Sequence, residues 1–237
     1  MLVAAAVCPC PPLLVPEVAA GAAPELDTAR AACTDALGVL AASRPDRLVV
    51  VGPADSAGPE VYPRGARGSF RGFGVDVEVY LGADSGGADG AELPPGLSVG
   101  AWLLGRTGWT DLPVDGIGVG DALPAEGCGA VGRDLAARPG RTALLVLGDA
   151  SACRTLKAPG YLDERAAPFD AEVGRALEAA DPAALTALDA DLARELKASG
   201  RAPWQVLAGA AAATDLAGAL LYEDAPYGVG YVVAAWS

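Results

Sequence analysis

The stretch RLVVVGPADS, residues 47–56, decides the fold. Arg47 to Val51 carries four consecutive apolar residues, three of them β-branched, and is closed by Gly52-Pro53, which is the pattern of a buried strand entering a turn. Upstream, Leu2 to Val7 is a second all-apolar run, closed by Pro9, Pro11 and Pro12. Between the two runs, Leu26, Ala29, Cys33, Leu37 and Leu40 recur at helical spacing over Pro24 to Ala42, and Arg44-Pro45 stops the pattern. Strand, helix and strand predict a βαβ unit whose parallel pair is buried on both faces. Downstream, Thr142 to Leu147 (TALLVL) repeats the buried-strand pattern and ends at Gly148-Asp149. The expected fold is therefore α/β, a single domain over residues 1–237 with a central mixed, mostly parallel sheet flanked by helices on both faces. In such a sheet the loops at the strand carboxyl ends face one crevice.

The remaining segments fill in around this frame. Val75 to Leu81 (VDVEVYL) alternates apolar with acidic residues and predicts a half-exposed strand on a sheet edge. Residues 82–96, GADSGGADGAELPPG, predict a flexible surface loop. Helices are expected at Leu97 to Leu104, Pro124 to Ala137, Pro168 to Ala180, Pro182 to Ser199 and Ala202 to Thr214, with Asp181 as the N-cap before Pro182. Val114 to Val119 reads as a Gly-weakened strand, and Ala219 to Tyr222 with Val229 to Trp236 as a strand pair.

Composition excludes whole classes of function. The 237 residues hold 30 acidic against 17 basic side chains, a net charge of −13, and the basic cluster Arg64, Arg67, Arg71 is too sparse for a phosphate backbone, so no nucleic-acid partner is expected. Histidine is absent, which removes Ser-His-Asp, Cys-His and two-His-one-carboxylate chemistry from this chain. Five irregularly spaced cysteines, Cys8, Cys10, Cys33, Cys128 and Cys153, argue against a disulfide framework and for a reducing, cytoplasmic home. The apolar start MLVAAAVCPCPP has no basic segment and reaches Pro9 within ten residues, so it does not read as a signal peptide. No membrane association is expected, because the most apolar window, Val206 to Tyr222, is built largely of alanine and carries Thr214 and Asp215 at its centre.

Three strand ends deliver polar loops: Cys8-Pro9-Cys10-Pro11-Pro12, Gly52-Pro53-Ala54-Asp55-Ser56 and Gly148-Asp149-Ala150-Ser151-Ala152-Cys153. Pro and Gly also simply turn chains, but three such loops at one edge of a sheet point to a site. Cys8, and Cys33 on the apolar face of its helix, read as buried inert thiols, and Cys10, on a loop, as the exposed one. Asp149 is expected either to cap the following turn or to act in catalysis. Lys157, one of two lysines, is a candidate base or Schiff-base former if desolvated and otherwise a solvated surface residue. Ser151 and Tyr161 join them as candidate pocket residues. Gly116-Ile-Gly118-Val-Gly120 lacks the spacing and downstream acid of a dinucleotide fingerprint and is set aside.

VCPCPPLLVPEV near the N-terminus, VVVGPADS after the second strand, GDASACRTLKAPGYLDERAAPFD in the middle and APYGVGYVVAAW at the end together resemble the class III extradiol dioxygenase family, in a short actinobacterial branch of uncharacterised proteins. The resemblance spans nearly the whole chain, and KAPGYLDERA is its most specific part. It implies an α/β domain whose ring-cleaving members hold Fe(II) with two histidines and a carboxylate and use a further histidine as acid/base. Here the family's first histidine position is Cys10, the second falls at Asp55 or Ser56, the acid/base position falls near Ala152 or Cys153, and Glu223 matches the carboxylate. The iron ligands are thus missing, and neither a metal nor another cofactor is expected.

Three functions follow as expectations. The first is a divergent family member that has lost the iron site and binds a small organic molecule, aromatic or carbonyl-bearing, in the strand-end pocket formed by Cys10, Asp55, Ser56, Ser151, Tyr161 and Glu223, with Asp149 and Lys157 as the catalytic candidates. The second is a metal-dependent oxygenase or hydrolase with Cys10, Asp55 and Glu223 as replacement ligands, a mixed soft and hard donor set. The third is a non-catalytic scaffold that docks a partner through its acidic surface or forms a homo-oligomer.

Overall fold

In the computed structural model, which describes residues 1–82, 92–109 and 112–237, the apolar runs become the middle of one sheet. In chain order the elements are β1 (Leu2–Cys8), α1 (Pro16–Ala19), α2 (Asp27–Ala42), β2 (Arg47–Pro53), β3 (Glu60–Tyr62), β4 (Arg67–Ser69), β5 (Glu78–Tyr80), α3 (Pro95–Thr107), β6 (Val114–Val119), α4 (Ala125–Ala137), β7 (Thr142–Leu147), α5 (Ala166–Glu178), α6 (Pro182–Thr186), α7 (Ala190–Glu195), α8 (Arg201–Ala211), β8 (Gly218–Asp224) and β9 (Tyr231–Trp236). Short 3₁₀ turns at Pro12–Leu14, Ala20–Leu26 and Arg71–Phe73 complete the set.

The seven-stranded sheet has the order β3-β6-β2-β7-β1-β9-β8. Strands β6, β2, β7 and β1 are parallel, and β3, β9 and β8 each run antiparallel to a neighbour. All six residues of β7 are buried, as a strand covered on both faces requires. Alternate side chains feed two separate cores. Val49, Val51, Leu144 and Val146 pack with α4, α5 and α8 on one face, and Leu48, Val50, Leu145 and Leu147 pack with α2 and α3 on the other. This is the expected α/β architecture with helices on both faces.

Several details differ from the sequence reading. β1 and β2 are parallel but not adjacent, because β7 inserts between them, pairing Val7 with Val146 on one side and Val51 with the same residue on the other. The segment expected as a sheet-edge strand over Val75 to Leu81 leaves the main sheet. Only Glu78–Tyr80 is extended, in a two-stranded ribbon with β4, and the true edges are β3 and β8. The helix expected over Pro182 to Ser199 is two short helices, because Asp189 caps a new start by accepting from the N–H groups of Asp191 and Leu192. The surface loop expected over residues 82–96 falls mostly on 83–91, outside the described residues, and its last two residues, Pro95 and Gly96, open α3. All five cysteines are free thiols, and no described helix is long and apolar enough to cross a membrane.

Candidate functional site

The carboxyl ends of β1 and β7 bring Cys10 and Asp149 together. The backbone N–H of Cys10 donates to Oδ1 of Asp149 at 2.8 Å, and the backbone N–H of Asp149 donates to Oγ of Ser199 at 3.0 Å. Ser199 arrives from the turn between α7 and α8, which reaches the strand end because Gly148 and Gly200 touch backbone to backbone. A Cβ on Gly148 would collide with the Cα of Gly200, so only glycine fits there. Tyr231, at the start of β9 and 2% exposed, closes the group.

The electrostatics of this group are set by burial. Half-buried Asp149 has its carboxyl pushed up to about 7, mainly by desolvation and partly opposed by the Cys10 N–H. The Cys10 thiol is held well above its ordinary range by burial and by the adjacent Asp149, against a hydrogen bond with Ser199 that lowers it. Tyr231 is raised by burial first and then by Asp149. A thiol, a phenol and a carboxyl that takes a proton near neutrality form a proton-holding cluster; the thiol itself is a poor nucleophile.

The largest cavity near these residues, of about 450 Å³, lies at the carboxyl ends of β2 and β6. Pro53, Ala54 and Asp55 wall it on one side, Pro94 to Gly96 at the start of α3 add another, and Ala190, Arg194, Lys197, Ser199 and Arg201 from the α7–α8 corner complete it. Ser199 joins the cavity to Asp149, and the Cys10 thiol lies behind Gly96, where a Cβ would stand 3.5 Å from its sulfur.

The sequence-predicted residues divide between three places. Cys10, Asp149 and Asp55 lie at or behind this cavity, but Cys10 is only 6% exposed, so the exposed thiol expected on the loop is buried under α3. Ser56 is occupied locally, its hydroxyl donating to the Gly58 carbonyl at 2.6 Å. Ser151 is buried and clamped by Asp170, which accepts from its N–H at 2.8 Å and its hydroxyl at 2.9 Å and also binds Arg154 at 2.9 Å. Glu223 is exposed on the edge strand β8 and lines a different hollow with Arg154 and Asp170. Lys157 and Tyr161 are exposed on the long loop after β7, so Lys157 lacks the desolvation that a base or Schiff-base role needs. Ser199, Lys197, Arg201 and Tyr231 do not stand out in the sequence. The first three sit where an uninterrupted helical pattern reads most easily, and the available signal is Gly200, a breaker directly before a Pro-containing helix start.

The donors present do not fit the iron of the family that the sequence resembles. Among the described residues no three His, Cys, Asp or Glu side chains are placed to hold a metal ion, and Cys10, Asp55 and Glu223 are not brought together, since Glu223 belongs to the other hollow.

No protein-family model matches the chain, and no curated protein matches it. It is similar in structure to an uncharacterized protein from Escherichia coli K12 whose crystal structure is known, with a TM-score of 0.53 over 99% of this chain and 100% of that one, at 13% identity. That likeness shows a shared fold, the α/β sheet with helices on both faces.

Proposed function

We propose that this chain is a divergent relative of the class III extradiol dioxygenases that binds a small organic molecule, aromatic or carbonyl-bearing, in the cavity at the carboxyl ends of β2 and β6. The observation that carries the reading is the cavity itself, about 450 Å³ at the sheet edge where open α/β folds take ligands, with Asp149 behind its wall. Its volume suits one ring with substituents rather than a dinucleotide. The sequence motifs support the family, and the lack of histidine supports the loss of ring-cleaving chemistry. Asp149, able to hold a proton near neutral pH, is the group placed to exchange one with a bound molecule through Ser199. The replacement-ligand reading is disfavoured by the position of Glu223 in another hollow.

The test is calorimetric titration of untagged protein with catechol, benzyl alcohol and benzoate, repeated on Ala190→Trp, which fills the cavity from its half-buried rim. Saturable binding of at least one probe, weakened about tenfold or more by the tryptophan, is expected, since losing a fitted ring contact costs more than about 1.4 kcal/mol. Binding that Ala190→Trp leaves unchanged, or no binding of any probe, would refute the reading.

A further inference from the structure

We propose that the molecule held in this cavity carries an anionic group, a carboxylate or a phosphate, and that Lys197 and Arg201 at the α7–α8 corner receive it; the inference rests on the cavity being the ligand site. Arg201 is 2% exposed, yet its hydrogen bonds all go to neutral acceptors: the carbonyls of Asp121 and Leu123 and Oε1 of Gln205. No carboxylate forms an ion pair with it among the described residues. A buried guanidinium compensated only by neutral dipoles is costly, and an anion entering the cavity that Arg201 lines would offset that cost.

The other two cations of the cavity differ in how far they are engaged. Arg194 is occupied, at 2.6 Å from Asp191 and 4.0 Å from Asp121. Lys197 makes one contact, a hydrogen bond from Nζ to the Pro159 carbonyl at 3.3 Å. Its backbone has φ of 56°, a conformation that L-residues other than Asn and Asp seldom adopt, and this holds the lysine at the cavity instead of in a continuing helix. Of the two acids that line the cavity, Asp121 is drawn toward Arg194, which leaves Asp55 as the opposing charge. Two cations without a carboxylate partner face one free acid. In a chain of net charge −13, this local excess of positive charge runs against the molecule's overall field, which repels anions.

The experiment compares benzoate, phenyl phosphate and benzyl alcohol, matched in ring and different in charge, by calorimetry on the untagged full chain at low salt. One of the two anions should bind about tenfold or more tighter than the alcohol, as a charge-assisted hydrogen bond is worth about 1.5–3 kcal/mol, and which anion wins identifies the group. Lys197→Met should remove most of that preference, Lys197→Arg should keep it, and Asp55→Asn should strengthen anion binding. These exposed positions avoid the folding risk of replacing Arg201. If benzyl alcohol binds as tightly as both anions and Lys197→Met changes nothing, the anion inference fails while the cavity remains a ligand site. If none of the three probes binds, both readings fail together.

Discussion

Asp149 is where one side chain's surroundings most change its chemistry. Its carboxyl titrates near 7 in the native state against 3.8 ordinarily, because the folded protein desolvates it more than the Cys10 N–H compensates. The native state therefore holds this proton more tightly than the unfolded chain does. That contribution to stability is complete below about pH 4 and is lost as pH rises through 7, where the buried carboxylate must ionise. Asp149→Asn keeps an oxygen for the Cys10 N–H and removes the charge. Relative to wild type, it should gain on the order of 3 kcal/mol at most between pH 5 and pH 8, a bound set by the size of the shift. Urea unfolding at the two pH values measures this, and parallel pH slopes for the two proteins would mean that the native carboxyl is already ionised at pH 5. Asp170 shows the opposite use of a buried acid, with its charge met by Arg154 and its oxygens by Ser151, so it anchors the loop after β7 and is not available for proton exchange.

At the scale of elements, the corner that carries Lys197 and Ser199 depends on two aspartate caps. Asp181 accepts from the N–H groups of Ala183 and Ala184 and so starts α6, and Asp189 does the same for Asp191 and Leu192 at the start of α7. Each substitution to alanine should cost about 1 kcal/mol of global stability. Only Asp189→Ala, whose helix leads directly into Lys197, should also weaken ligand binding at the cavity; equal effects on binding from both caps would remove the special role of α7. The Asp181 cap is readable in the sequence because Pro182 follows it, whereas Asp189 lies inside a stretch whose apolar spacing continues as though unbroken. The same contrast runs through the fold. Runs such as TALLVL show themselves as strands through composition alone, but that β7 enters between β1 and β2 depends on contacts far apart in the chain. Cys10 and Asp55 can be placed at strand ends from the Gly and Pro beside them, while the pairing of Cys10 with Asp149, 139 residues apart, appears only in the folded molecule.

For the whole molecule, the balance of charge sets a response that local ion pairs do not. The net charge of −13 acts across the entire surface, whereas most ion pairs, such as Arg194 with Asp191 and Arg165 with Glu195, join exposed side chains. Exposed pairs contribute at most about 1 kcal/mol each, and salt weakens them. Salt also screens the repulsion among the unpaired acids, and with nearly two acids for every base the second effect should win. The midpoint of thermal unfolding should rise on moving from about 20 to about 300 mM sodium chloride, where the Debye length falls well below 10 Å. A stabilisation of about 1 kcal/mol corresponds to roughly 2–4 °C for a chain of this size. Anion binding at Lys197 and Arg201 should move the other way, since the same screening weakens its attraction. A rising midpoint together with falling benzoate or phenyl phosphate affinity would separate a repulsive surface from an attractive cavity within one molecule, and a midpoint that falls with salt would show that the surface pairs, not the excess of acids, dominate the electrostatics of the fold.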